Sequence, residues 1–171
     1  MKAKLNRREF GIGAAAVGAL AATYPIGRAR AQGGAVKIGS LLPRSGFEAQ
    51  IGQHCQQAID VGKSFLKAHG YALEVVDADT ESKPEVARTQ AEKLIREGCH
   101  MLTGAFDSGQ SFAIAQVAEQ NGIPFVVNIG ADPAITEQGY KYVFRNFPTS
   151  EMLSQHGLEL QSVLFKATGK Q

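Results

Sequence analysis

Short apolar runs alternate with longer segments of helical hydrophobic spacing from residue 36 onward. Apolar runs bounded by turn residues are typical of strands buried in a parallel sheet, whereas apolar residues three and four apart are typical of helices. The regular alternation of the two predicts βαβ units. We therefore expect an α/β protein with a doubly wound, open parallel sheet.

The hydrophobic pattern predicts where each strand and helix lies, and capping residues predict where several helices begin. The predicted strands lie at 36–42, 73–77, 99–103, 124–129 and 142–145. The predicted helices lie at 50–69, 84–98, 108–120, 133–138 and 150–167. Ser82 suits a capping box, Asp132 a cap before a first-turn proline, and Thr149 or Ser150 a cap for the last helix.

The first 31 residues follow the layout of an export signal. Arg7 and Arg8 precede a Gly/Ala-rich run at 11–22, and Ala29-Arg30-Ala31 offers small residues to a signal peptidase. The paired arginines favour the twin-arginine translocase, with the general secretory pathway as the alternative. The apolar run is too short and too weakly apolar for a membrane span. We expect a periplasmic protein whose signal is removed near Ala31.

Removal of this signal changes the charge of the protein. The chain has 18 Lys and Arg against 16 Asp and Glu, and six of the basic and one of the acidic residues lie in 1–31. The remaining 140 residues, 171 minus 31, carry 12 basic and 15 acidic side chains and suit one globular domain. Because the positive charge belongs to the signal, we expect no nucleic-acid partner.

Motifs for catalysis are missing from the sequence. It has no nucleophile elbow, phosphate loop, HExxH pair or paired CxxC. We therefore expect no enzyme, no catalytic residue, no metal site and no cofactor. Cys55 and Cys99 are interpreted as small buried residues, and a disulfide between them is the alternative in an oxidising compartment.

Candidate binding residues follow three of the predicted strands. Open parallel sheets bind ligands beyond the carboxyl ends of their strands, where helix N-termini present unpaired N–H groups. The loops at 43–47, 106–109 and 129–132 occupy those positions. Their small residues let the backbone approach a ligand closely. These residues are Ser45, Gly46, Ser108, Gly109 and Gly130.

The series of motifs resembles the periplasmic solute-binding proteins of ABC transporters, in the group named for branched-chain amino acids. The resemblance covers 36–168. It is carried by Lys37-Ile38-Gly39-Ser40-Leu41-Leu42-Pro43 with Ser45-Gly46, Val75-Val76-Asp77-Ala78-Asp79-Thr80, the helix at 84–98, Ile123-Pro124-Phe125, Asp132-Pro133-Ala134-Ile135-Thr136 and Tyr142-Val143-Phe144-Arg145.

This resemblance implies the first lobe of a type I periplasmic binding protein fold. The N-terminal ligand-binding lobe would span 32–150, and a final helix at 151–171 would lead toward a second lobe. Family members are about twice as long, so a fragment is expected, and a natural single lobe is the alternative. One lobe should bind weakly, because halving a binding energy of about −8 kcal/mol turns micromolar into millimolar affinity. It should also expose an apolar patch.

The implied function is capture of a small organic solute and its delivery to an ABC transporter permease. A ligand-sensing domain of a receptor is the alternative. In the family's amino-acid binders, a Ser after the third strand and an Ala and a Thr after the fourth hold the ligand. Here the matching positions are Asp107, Ile129 and Ala131, so none is retained. This favours an aromatic or apolar acid over an amino acid, with apolar contact from Phe47, Ile51, Phe106 and Ile129.

Asp107 also has a purely structural interpretation. It would cap the following helix by accepting N–H bonds from Gly109 or Gln110. An ionised carboxylate that faced the ligand would instead disfavour an anion and favour an ammonium group.

Overall fold

A computed structural model describes residues 35–169, and the predicted succession of strands and helices is present in them. The strands are β1 Val36–Leu42, β2 Leu73–Asp79, β3 Met101–Gly104, β4 Phe125–Val127 and β5 Val143–Arg145. The helices are α1 Ala49–Ala68, α2 Pro84–Arg96, α3 Ser108–Asn121 and α4 Ser150–Thr168. The predicted export signal at 1–31 lies outside the described residues.

The strands form one parallel sheet in the order β2-β1-β3-β4-β5. Crossovers between parallel strands are right-handed. Because β1 leads to β2 in one direction and the later crossovers run in the other, α1 lies on one face and α2 and α3 on the opposite face. The predicted doubly wound, open parallel α/β fold is confirmed.

The core lies between the sheet and the pair α2 and α3. Alternate strand residues point to this face, and they include the fully buried Leu41, Leu102 and Phe125. Leu94 of α2 and Ile114 of α3 meet them from the helical side. The residues at helical apolar spacing on these two helices therefore face the sheet.

Helices α1 and α4 bury much less apolar surface than α2 and α3. Gly52 is the one buried residue of α1, and Val61 and Phe65 on that helix are exposed. No residue of α4 is buried. Its exposed large apolar side chains are Met152, Leu153, Leu158, Leu160, Val163, Leu164 and Phe165. α4 therefore exposes apolar side chains, and the expectation that a second lobe covers them stays a prediction.

Asp107, Asp132 and Thr149 each cap a helical segment, as predicted. Their side chains accept hydrogen bonds from the N–H groups of Gln110 (2.9 Å), Ala134 (2.9 Å) and Met152 (3.3 Å) respectively. All three caps act within their own turn, which explains why the local sequence reveals them.

Two other local predictions are wrong. Lys83 is the residue before α2 and makes no side-chain cap. Ser82 instead accepts the N–H of Glu48 and donates to the carbonyl of Ser45, so distant partners displace the predicted capping box. The predicted helix at 133–138 is only the 3-10 turn Pro133–Ile135. The turn has only the short-range bonds from Ile135 N–H to Asp132 and from Thr136 N–H to Pro133, and Arg145 holds the carbonyls of Gly130 and Asp132 just before it.

The two cysteines are free, so the alternative of a disulfide is wrong. Cys99 belongs to the core cluster on the α2 and α3 face, whereas Cys55 lies on α1 across the sheet. Cys99 is buried as predicted, but Cys55 is only half-buried. Burial raises the pKa of both thiols, which keeps them protonated at neutral pH.

Candidate functional site

The carboxyl ends of β1, β3 and β4 lie side by side at one edge of the sheet. The order in which strands are added to the sheet reverses between β1 and β3, because β2 lies on one side of β1 and β3 on the other. Crevices at such switch points are where open α/β sheets bind ligands. The three loops singled out in the sequence therefore share one edge, at the position expected for a ligand.

The loop after β1 is shaped by the carboxylate of Asp79. Its Oδ1 accepts the N–H groups of Arg44 (2.8 Å), Ser45 (3.1 Å) and Glu81 (2.9 Å). Partial burial pushes the pKa of Asp79 upward, but these bonds outweigh it and the pKa is lowered. Gly46 has φ of +83°, and a Cβ there would lie 2.6 Å from the carbonyl oxygen of Glu81. The loop thus has one well-defined shape.

The first turn of α1 packs directly on this loop. Gly52 is required there, because a Cβ at that position would overlap the carbonyl oxygen of Pro43. The neighbouring Phe47 is 86% exposed, and Ile51 is also exposed. The contact between Gly52 and Pro43 therefore holds Phe47 and Ile51 at the carboxyl edge of the sheet, where a solute could cover them.

The first turn of α3 follows β3 at the centre of the edge. The carboxylate of Asp107 caps the N–H of Gln110, and its carbonyl accepts the hydroxyl of Ser111 at 2.8 Å. The predicted cap at Asp107 is therefore confirmed, and its contact with a ligand stays a prediction. Helices begin with N–H groups that lack intrahelical partners, and here those groups belong to Ser108 and Gly109. Such groups favour an anion or a carbonyl oxygen.

The loop after β4 is fastened to the same turn. Ser108 Oγ accepts the N–H of Asp132 at 3.3 Å, and a Cβ on Gly130 would lie 2.5 Å from Ser111 Oγ. Arg145 donates to the carbonyls of Gly130 and Asp132. Ile129 and Ala131 are half-buried beside this anchored backbone, as is Phe106 in the loop before α3.

A group of three buried polar side chains lies beneath the loops, and sequence reasoning missed it. Gln110 Nε2 donates to Glu48 Oε2 at 2.6 Å, and Thr80 Oγ1 donates to Gln110 Oε1. Burial raises the pKa of Glu48, the charge of Asp107 raises it further, and the bond from Gln110 opposes both. The bonded side chains are 30 and 62 residues apart, so no local pattern could reveal them.

The two cationic side chains near these loops, Arg44 and Arg145, bind other groups of the protein. Arg44 pairs with Asp77 Oδ1 at 2.9 Å and donates to Gln56 on α1. Arg145 is directed at backbone carbonyls. Backbone N–H groups and hydroxyls, rather than these guanidiniums, are the groups that this edge offers to a solute.

Residues 35–169 also bear on metal binding and on membrane insertion. Within 35–169, no group of three or more His, Cys, Asp or Glu side chains is placed to hold a metal ion. In the same part of the chain, no helix has both the length and the apolar character to cross a membrane.

An open depression of about 610 Å³ lies elsewhere, between α1 and the start of β2. Lys63, Lys67 and Tyr71 are among the residues that line it, and none of the predicted ligand-binding residues do. We favour the carboxyl edge as the solute site, because it combines the switch point, a helix N-terminus and interlocked loops.

Comparison with known proteins places the chain among binding proteins. The profile of the periplasmic binding protein family matches residues 35–162. The Leu/Ile/Val-binding protein homolog 8 of Brucella abortus is 29% identical over 132 residues, which cover 73% of this chain and 32% of that protein. The chain thus spans about a third of the length of the curated relatives it matches.

Solved structures agree with this result. A leucine-binding protein from Thermotoga maritima is 28% identical with a TM-score of 0.66, and the match covers 78% of this chain and 38% of that one. An ABC transporter solute-binding protein from R. palustris, in complex with benzoate, is 31% identical with a TM-score of 0.60 and coverages of 67% and 33%. The chain belongs to the periplasmic binding protein family, and its sheet is that of the type I fold.

Proposed function

We propose that this chain forms one lobe of an extracytoplasmic solute-binding protein, which captures a small organic solute and delivers it to an ABC transporter permease. The observation that supports this most strongly is the position of the α3 N-terminus. It lies at the switch point, fastened to the loop after β4 through Ser108 and to the start of α1 through Gln110. The mechanism is closure of two lobes around the solute.

The solute class we propose is an aromatic or apolar carboxylic acid. Its carboxylate would accept the N–H groups of Ser108 and Gly109 and a hydroxyl from Ser45 or Ser108. Its apolar body would cover exposed or half-buried carbon at this edge, from Phe47, Ile51, Phe106 and Ile129. Benzoate bound to the R. palustris relative supports this class. An amino acid is the competing class.

The charge of Asp107 favours one of these classes only if the carboxylate lies close enough to interact with the solute. Its carboxylate already accepts the N–H of Gln110 at 2.9 Å. We therefore expect Asp107→Ser, which keeps a capping oxygen, to change the affinity for benzoate and for leucine less than threefold. Stronger benzoate binding and weaker leucine binding in this variant would instead assign Asp107 an electrostatic role in the site.

A thermal-unfolding screen of the chain tests the solute class. Benzoate, 4-hydroxybenzoate, leucine and isoleucine are compared with sodium chloride at equal ionic strength. A ligand at about ten times its Kd stabilises the folded state by about 1.4 kcal/mol, which is measurable even for millimolar binding. We expect stabilisation by the aromatic acids. Stabilisation by leucine and isoleucine alone would contradict the proposed class, and no response to any solute would contradict the proposed function.

We also propose that residues 1–31 direct export through the twin-arginine translocase. Mass spectrometry of the periplasmic fraction should find a mature protein that begins near Gln32. Replacement of Arg7 and Arg8 by lysine should stop this export, because the pair of arginines identifies the route. Export of the double variant at the normal level would indicate the general secretory pathway instead.

A further inference from the structure

The group formed by Glu48, Gln110 and Thr80, which we call the buried triad, has no part in the solute contacts proposed above. Glu48 stands at the start of α1, Thr80 follows β2, and Gln110 lies in the first turn of α3. Their exposed fractions are 7%, 0% and 0%. Three segments distant in sequence thus meet through polar side chains directly under the switch point.

We propose that Glu48 is a positioning residue for the solute site, which acts through Gln110 to hold the first turn of α3 against the loop after β1. The proposal rests on the function proposed above. The connections run in both directions from Glu48. Its N–H donates to Ser82 Oγ at 3.1 Å, and Ser82 donates to the carbonyl of Ser45 at 2.8 Å.

Toward α3, the side chain and the backbone of Gln110 have different partners. The side-chain amide donates to Glu48, while the backbone N–H donates to Asp107 Oδ1 at 2.9 Å. The backbone of Glu48 thus connects to Ser45 through Ser82, and its side chain connects through Gln110 to the turn that contains Ser108 and Gly109. Ser45, Ser108 and Gly109 are the residues from which the proposed carboxylate contacts come.

The orientation of the Gln110 side chain is fixed because its amide oxygen and its amide nitrogen both form hydrogen bonds. Thr80 donates to the oxygen, and the nitrogen donates to Glu48. Buried polar groups of this kind often contribute less stability than well-packed apolar side chains of similar size. Their contribution is geometric, because only one arrangement satisfies all the partners. Loss of one member also leaves a buried polar partner unpaired, which costs stability, so the test needs a readout of the shape of the site beside one of stability.

The test compares Glu48→Gln with Glu48→Leu in the whole chain. The glutamine oxygen can still accept from Gln110, whereas leucine fills similar volume and accepts nothing. We expect Glu48→Leu to weaken benzoate binding about tenfold in an NMR titration, a loss of about 1.4 kcal/mol of binding energy. Glu48→Gln should bind within twofold of the unmodified chain. The urea midpoint of Glu48→Leu should fall too, because the buried amide of Gln110 is left without an acceptor, so binding is compared in buffer in which both variants are folded.

A measurement without solute separates this proposal from the proposed function. In backbone NMR spectra, Glu48→Leu should shift the amide resonances of Ser108 and Gly109, and Glu48→Gln should leave them nearly unchanged. Equal perturbation by both variants, or by neither, would overturn the positioning role. Absence of benzoate binding by the unmodified chain would instead count against the proposed function.

A second pair of variants covers the case in which Glu48→Leu does not fold. Thr80→Val keeps the shape of the side chain but removes the hydroxyl that orients Gln110, and Thr80→Ser retains that hydroxyl. Thr80→Val should shift the resonances of Ser108 and Gly109, and Thr80→Ser should not. Identical spectra for the two variants would contradict the proposal.

Discussion

Helices α3 and α4 have similar fractions of apolar residues but bury very different amounts of surface. The apolar residues of α3 that are buried include Ala113, Ile114, Ala115, Val117 and Ala118. The larger side chains of α4 are all exposed. Small residues let α3 approach the sheet and α2 closely, whereas α4 carries bulky side chains without a surface to pack on. In this family we expect another part of a full-length protein to cover α4.

The largest predicted effect compares two leucines on helices. Leu94 of α2 is 1% exposed and Leu160 of α4 is 61% exposed. Leu94→Ala should lower the free energy of unfolding by about 3 kcal/mol, because it leaves a cavity in the core. Leu160→Ala should change it by less than about 0.5 kcal/mol. Urea denaturation measures both, and comparable losses would mean that α4 is packed in solution.

A second pair of variants compares two glycines of α1, one packed against the loop after β1 and one with open space around it. Gly52→Ala should cost about 3 kcal/mol, because its methyl group overlaps the carbonyl of Pro43. Gly62→Ala should stabilise the chain by up to about 1 kcal/mol, since nothing lies within 4 Å of the added Cβ. Thermal unfolding distinguishes the two. A tolerated Gly52→Ala would mean that the loop after β1 is not fixed by α1.

A smaller effect is expected from two carboxylates, Asp79 at the site and Asp60 on the exposed side of α1. Asp79→Asn should cost about 1 kcal/mol near neutral pH, because an amide is a weaker acceptor for three N–H donors. Asp60→Asn should cost less than about 0.5 kcal/mol, since its contact with Lys63 is exposed. Urea midpoints at pH 7 compare them, and equal costs would contradict the role of Asp79.

The pH dependence of Asp79 should also differ in sign from that of Glu48. The folded pKa of Asp79 is lowered, so its stabilisation is present above the unfolded carboxyl pKa and lost as pH falls through the folded value. The folded pKa of Glu48 is raised, so stability is lost as pH rises through it. The stability of Glu48→Gln relative to the unmodified chain should therefore increase from acid to neutral pH. A difference that is independent of pH would contradict this.

The sequence predicted most of what depends on local pattern. β1 was placed at its observed bounds, and the caps at Asp107, Asp132 and Thr149 were correct because each acts within its own turn. The three loops were placed correctly because parallel strands bring their carboxyl ends to one edge.

What the sequence did not predict depends on distant partners. Ser82 has the spacing of a capping box, but it bonds to Glu48 and Ser45 from across the fold. In the sequence, Gln110 is an ordinary polar residue of a first helical turn, and only the fold brings Glu48 and Thr80 beside it. Helical periodicity also indicated a buried face on α1, but periodicity does not tell which surface covers that face.

The central claim is that the carboxyl edge of β1, β3 and β4 is the solute-binding surface of this lobe. Titration of the isotopically labelled chain with benzoate, followed by NMR, tests it most directly. We predict a millimolar Kd, with shifts concentrated at Ser45, Gly46, Ser108, Gly109 and Gly130. Shifts confined to the depression around Lys63 and Lys67, or micromolar binding by this chain alone, would contradict the account.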